Sequence, residues 1–177
     1  GYHNINHELE VTFVSLLASS QKKVEFSNED LKYLYISALF HDFDPQKSVD
    51  RPHEESVIQF IELDKELKKL IEQAELDVEI IKALILRTSY PWTGEFKVKP
   101  EKQMLECFQR SKITKDNPQK QSYYEELGWF LSVADRVGGY AMGEFSVAMD
   151  KAKKNAHAFA WHQSSIVRLS VNYFETL

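Results

Sequence analysis

Four of the six histidines fall in the first third of the chain, at His3, His7, His41 and His53. His41 is followed directly by Asp42 at the end of an apolar run, Tyr33 to Phe40. Asp135 ends a second such run, Phe130 to Ala134. A carboxylate at the end of a buried helix is costly unless a cation or a donor satisfies it. Imidazole nitrogens combined with carboxylate oxygens form a mixed ligand set that suits Zn, Fe or Mn and leaves positions open for water. Any one of these residues taken alone is more often a structural hydrogen-bonding group than a ligand.

The elements that must position these groups read almost throughout with a helical period. Leu9, Phe13, Leu16 and Leu17 form an apolar face from about His7 to Ser19, and a helix beginning near His3 puts His3 and His7 on one side. Ser27 and Asp30 form a capping signature ahead of a helix that runs into His41. The segment Phe43 to Pro52 is polar and reads as a loop. A long helix is expected over about His53 to Gln73, and Asp77 caps another that carries Ile80, Ile81, Leu84 and Ile85. From Ser89 to Pro100 the period breaks, so a long loop with a short extended piece is expected. Pro100 then suits the first turn of a helix over Glu101 to Ser111. After a charged linker, a helix over Ser122 to Val137 is expected to kink or end at Gly138 and Gly139. Two further helices, from about Gly143 and from Ala156, complete the chain. The fold class is therefore all-α, a single helical bundle over residues 1–177.

The order His7, then His41-Asp42, then Asp135 resembles the HD superfamily of metal-dependent phosphohydrolases, from Tyr2 to about Gly139. The opening Tyr2-His3-Asn4 followed by His7 is similar to the start of the class I cyclic-nucleotide phosphodiesterases, and His41-Asp42-Phe43-Asp44 is similar to their H-D-x-D. The resemblance implies an HD-type bundle in which His7, His41, Asp42 and Asp135 hold a divalent metal (Mn, Fe, Zn, Mg, Co or Ni). It implies a general-acid role for His3; the alternative is a helix-capping or exposed terminal residue. The family continues with His-Pro-Gly where this chain has Pro45-Gln46-Lys47, so the motif speaks for a metal site more than for a cyclic-nucleotide substrate. His53-Glu54-Glu55-Ser56 resembles the helix start of many small HD proteins. It makes His53 a ligand for a second metal, or else simply part of a favourable helix N-terminus.

The implied activity is hydrolysis of a phosphate ester, of a nucleotide or a small phosphorylated metabolite, by metal-activated water. Phosphate chemistry also needs positive charge at the transferring group. Lys47 and Arg51 rank highest because they follow His41-Asp42; Arg87 and Arg136 are further options, and each could equally be an ordinary surface cation. Tyr90-Pro91-Trp92 offers a flat wall for a base or an anchor for a long loop. His157 and His162 read as core or surface histidines. Two other classes fit the pattern, a di-iron oxygenase of the same fold and a non-catalytic nucleotide-binding signalling module.

Composition narrows the partners. With 22 Lys and Arg against 27 Asp and Glu, the formal charge is −5. Such a surface does not attract nucleic acid or anionic membrane in general, and neither is an expected partner. No stretch approaches the roughly 18–20 apolar residues of a membrane span, and no signal-peptide pattern is present. Cys107 is the single cysteine, which excludes an internal disulfide and suits a reducing, cytoplasmic setting. Apolar positions in the last helix either finish the core or pair two subunits as a homodimer. The chain begins at Gly1 rather than Met, and further residues upstream are expected.

Overall fold

The computed structural model describes residues 3–21, 25–43, 54–140 and 144–176, and among them every regular element is a helix. In chain order these are α1 (Ile5–Ser19), α2 (Asn28–Phe40), α3 (Glu54–Leu63), α4 (Lys65–Gln73), α5 (Val78–Arg87), α6 (Gly94–Arg110), α7 (Pro118–Tyr140), α8 (Phe145–Ala158), a 3₁₀ turn at Gln163–Ser165, and α9 (Ile166–Glu175). No helix among the described residues is long and apolar enough to cross a membrane.

The centre of the molecule is α5. Its sequence is apolar nearly all round, and Ile80 through Arg87 are all buried, as expected of a helix enclosed by others. It packs against α6, α7 and α2, while α1 lies across α2 and α7. Ile80, Ile81, Leu84, Ile85 and Leu86 are inaccessible or nearly so, and each such side chain contributes roughly 1.5–3 kcal/mol through burial.

Capping side chains fix where the helices begin. Ser27 and Asp30 form a reciprocal capping box, with the Asp30 backbone N–H donating to Ser27 Oγ at 3.1 Å and the Ser27 N–H donating to Asp30 Oδ2 at 2.8 Å. Tyr123 Oη donates to the same carboxylate at 2.7 Å, which ties the start of α2 to α7. Asp77 caps α5 through Oδ1, and its Oδ2 accepts from Ser111 Oγ and the Lys112 N–H, each at 2.9 Å. One carboxylate thus joins the start of α5 to the end of α6.

The helix content follows the sequence expectation, but several boundaries and one face do not. The expected 53–73 helix is two, broken where Asp64 caps α4 by accepting from the Leu67 N–H at 2.7 Å. The expected 89–100 loop is short, because α6 begins at Gly94 and carries Pro100 in its interior. Gly138 does not interrupt α7, which runs on to Tyr140. The most consequential difference lies in α1. Leu9, Phe13 and Leu17 are 52%, 60% and 44% exposed, whereas His7, Val11, Val14 and Ser15 face inward. In α9 the valines Val167 and Val171 are exposed and Tyr173 is buried.

Candidate metal centre

His7 reaches the interior because α1 turns its more polar side inward. Asn4, not His3, caps this helix, its side chain accepting from the Asn6 N–H at 2.9 Å. His3 lies just ahead of the cap, with its ring 5.8 Å from that of His7 in an edge-to-face contact and its side chain 6% exposed. His41 is the C-cap of α2, and Asp42 follows it. Phe40 and Phe43 stack edge-to-face, and Phe43 also packs on Phe60 of α3, so aromatic contacts hold both sides of the His-Asp pair. Asp135 comes from α7, one turn before Gly138, at which a Cβ would lie 3.7 Å from the backbone of Glu10 and Val11 in α1. That close passage of α7 over α1 brings residues 128 positions apart into contact.

The groups converge. His7 Nε2 lies 3.1 Å from Asp135 Oδ1, and His41 Nε2 lies 3.7 Å from the same oxygen. His7, His41 and Asp135 each offer a ligand atom, and these atoms all fall within 4.8 Å of one another, a grouping that could hold a metal ion. Asp42 stands against this trio, with Oδ2 3.3 Å from His41 Nε2, 3.5 Å from His7 Nε2 and 3.5 Å from His3 Nε2. The sequence-predicted residues His3, His7, His41, Asp42 and Asp135 therefore meet at one place. His53, Lys47 and Arg51 lie outside the described residues.

The donor set fits a cation by orientation as well as by proximity. His41 Nδ1 is 2.7 Å from the Ala38 carbonyl oxygen. A carbonyl only accepts, so Nδ1 carries a proton and Nε2 is the atom turned to the site; backbone support of this kind fixes the tautomer of a ligating histidine. His41 Nε2 thus faces both carboxylates, 3.3 Å from Asp42 Oδ2 and 3.7 Å from Asp135 Oδ1. Asp135 divides its work: Oδ1 faces the histidines, and Oδ2 accepts from Tyr173 Oη at 3.3 Å.

Electrostatics within the cluster are strong and mutually reinforcing. Burial alone would discharge the His7 ring, but its contacts with Asp135 and then Asp42 outweigh that and raise its pKa to about 9. His41 is opposed by burial in the same way, and Asp42 and Asp135 hold it well above the usual range. Burial would raise both carboxyls; the His41 charge, with His3 beside Asp42 and His7 beside Asp135, keeps them well below it. The site is a pocket of negative potential that draws positive charge onto its nitrogens, and a divalent cation answers the same demand.

Two site residues carry no signal in the sequence. Tyr173 belongs to α9, 38 positions after Asp135, and nothing in its spacing marks it. Glu8 follows His7 and is buried; burial raises its carboxyl pKa, opposed by the charge of His41. As one acidic residue in a surface-like stretch, it reads as solvated until the helix is oriented. His157 and His162 are exposed, and His162 caps the 3₁₀ turn by accepting from the Ser164 N–H.

Comparison of the chain with models of known protein families, with curated proteins and with solved structures yields no match.

Proposed function

We propose that this chain is a metal-dependent phosphohydrolase of the HD type, a helical bundle whose His7, His41, Asp42 and Asp135 hold a divalent cation. The observation that carries the reading is the meeting of two imidazoles and two carboxylates from α1, the end of α2 and α7 at one buried point. The metal candidates are Mn, Fe, Zn, Mg, Co and Ni. Bound there, such an ion would lower the pKa of water and offset charge on a phosphoryl oxygen.

The chain's own residues supply the rest. His3, whose Nε2 lies 3.5 Å from Asp42 Oδ2, serves as the proton donor to the leaving oxygen. Asp42 orients the attacking water, and Tyr173 holds Asp135 in its orientation. Lys47 and Arg51, which follow Asp42 in the sequence, offset developing negative charge. The substrate class is a phosphate ester of a nucleotide or small metabolite, handled in the cytoplasm, where Cys107 stays reduced.

Elemental analysis of the purified protein, paired with a panel of phosphomonoesters and phosphodiesters assayed with several divalent ions, tests this. The expected result is near-stoichiometric metal and metal-stimulated turnover, both lost in Asp42→Ala while helical circular dichroism persists. Full activity in Asp42→Ala, or turnover unaffected by chelation, overturns the proposal.

A further inference from the structure

Two arginines outside the candidate metal centre are also buried. Arg87 ends α5 and is 5% exposed; Arg136 follows Asp135 on α7 and is 1% exposed. Arg136 spends two of its nitrogens on the protein: Nε donates to the Tyr173 carbonyl at 2.8 Å, and Nη1 donates to the Ser132 carbonyl at 2.9 Å and to Ser132 Oγ. Its Nη2 has no hydrogen-bond partner, and neither do Nε and Nη1 of Arg87. Among the described residues no carboxylate forms an ion pair with either guanidinium; burial, then the charge of Arg136, brings the Arg87 pKa down to about 10 against the weaker pull of Glu125 and Glu101.

Buried donors in native proteins are paired in the great majority of cases, and those that are not call for an explanation. Two like charges sharing a low-dielectric interior compound the cost. The fold nevertheless builds the pair deliberately. Gly128, Ser132 and Arg136 recur every four residues on α7 and so share one face. The absent Cβ of Gly128 is what admits Arg87, since a Cβ there would lie 2.8 Å from Arg87 Cβ and 3.0 Å from its Cγ. Trp92 covers the Arg87 guanidinium at 4.3 Å, and Tyr173 covers that of Arg136 at 4.7 Å. Aromatic faces attract the cations but accept no conventional hydrogen bond from their edges. Trp92 is half-buried, so one side-chain layer separates the Arg87 guanidinium from solvent.

We propose that Arg87 and Arg136 form an oxyanion site for a phosphate group, separate from the metal centre and covered by Trp92. Planar guanidinium edges match phosphate oxygens two at a time, and a dianion between them relieves both the unpaired N–H groups and the like-charge repulsion. The site shares Tyr173 with Asp135, so its occupant bears on the same helix end that supports the candidate metal ligands.

The test uses the full chain stripped of metal and kept in chelator, so that its outcome does not depend on the metal reading. Inorganic phosphate and adenosine monophosphate are titrated calorimetrically at fixed ionic strength, with chloride as the control anion. Phosphate should bind and raise the melting temperature by several degrees where chloride does not. Adenosine monophosphate binding at least tenfold tighter assigns the site to a nucleotide's phosphate; equal or weaker binding assigns it to free phosphate. Arg87→Lys keeps the charge but loses the paired edge, and should weaken binding at least tenfold. In Arg136→Lys the same loss is expected. As a readout that does not need a folded Arg136 variant, the tryptophan fluorescence change on phosphate addition should vanish in Trp92→Phe. Absence of binding to the wild-type chain, an equal response to chloride, or wild-type affinity in folded Arg87→Lys overturns the proposal.

Discussion

Replacing Gly128 with alanine tests the packing that seats Arg87 between α5 and α7. Gly128 lies within the 23-residue helix α7, where alanine is favoured over glycine by about 1 kcal/mol on helix propensity alone. Against that, the new Cβ would lie 2.8 Å from Arg87 Cβ, 3.0 Å from Arg87 Cγ and 3.4 Å from Leu84 Cδ2. The nearest of these atoms is fixed to the α5 backbone, so a rotamer change cannot clear it and the two helices must part by a few tenths of an ångström. Overpacking of this kind costs roughly 1–3 kcal/mol. The expected net effect is a loss of about 1 kcal/mol, a fall in melting temperature of roughly 2–4 °C for a chain of this size. Gly138→Ala is the internal control. It lies on the same helix, and its Cβ would meet nothing nearer than 3.7 Å, which is ordinary contact. That variant should be neutral or more stable by up to about 1 kcal/mol. Urea denaturation followed by circular dichroism separates the two. If Gly128→Ala proves as stable as Gly138→Ala or more so, α5 and α7 are not in the close contact described.

Tyr173→Phe removes the donor to Asp135 Oδ2 and should weaken metal affinity by about 10–100-fold while leaving the fold intact, as measured by competition with a chromogenic chelator; unchanged affinity would remove Tyr173 from the site. Cys107 is buried, and burial, then the charge of Glu79, pushes its thiol up to about 11, so it should resist a thiol-reactive disulfide reagent at pH 8 until denaturant is added. In chelator, His7 should impose a pH dependence on stability. Its folded pKa is raised from 6.5 to about 9, so its contribution is complete below about pH 6.5 and declines as pH rises toward 9, where thermal scans should show a falling melting temperature. A melting temperature that climbs steadily over that range would contradict the contact with Asp135.

The sequence determined more of the local structure than of its arrangement. Helix content, the caps at Ser27 and Asp77, and the apolar character of α5 are all short-range properties: periodicity and capping depend on residues within a turn or two of one another, and they can be read from the chain itself. The candidate ligands were legible for a related reason, because His41-Asp42 and Asp135 end apolar runs where a charged group needs a partner. The inward face of α1 was decided elsewhere. Its row of Leu9, Phe13 and Leu17 is the more apolar side, yet it faces outward, because the side carrying His7 and Val11 is the one that meets α2 and α7. The start of α6 at Gly94, ahead of an interior Pro100, and the passage of α7 through Gly138 are likewise set by neighbours that propensity does not see. Tyr173 behind Asp135, Glu8 beside His7 and the unpartnered edges of Arg87 and Arg136 exist only once helices distant in the chain are packed together. A residue's type can be read from the sequence, but its surroundings depend on long-range burial, a property of the assembled core.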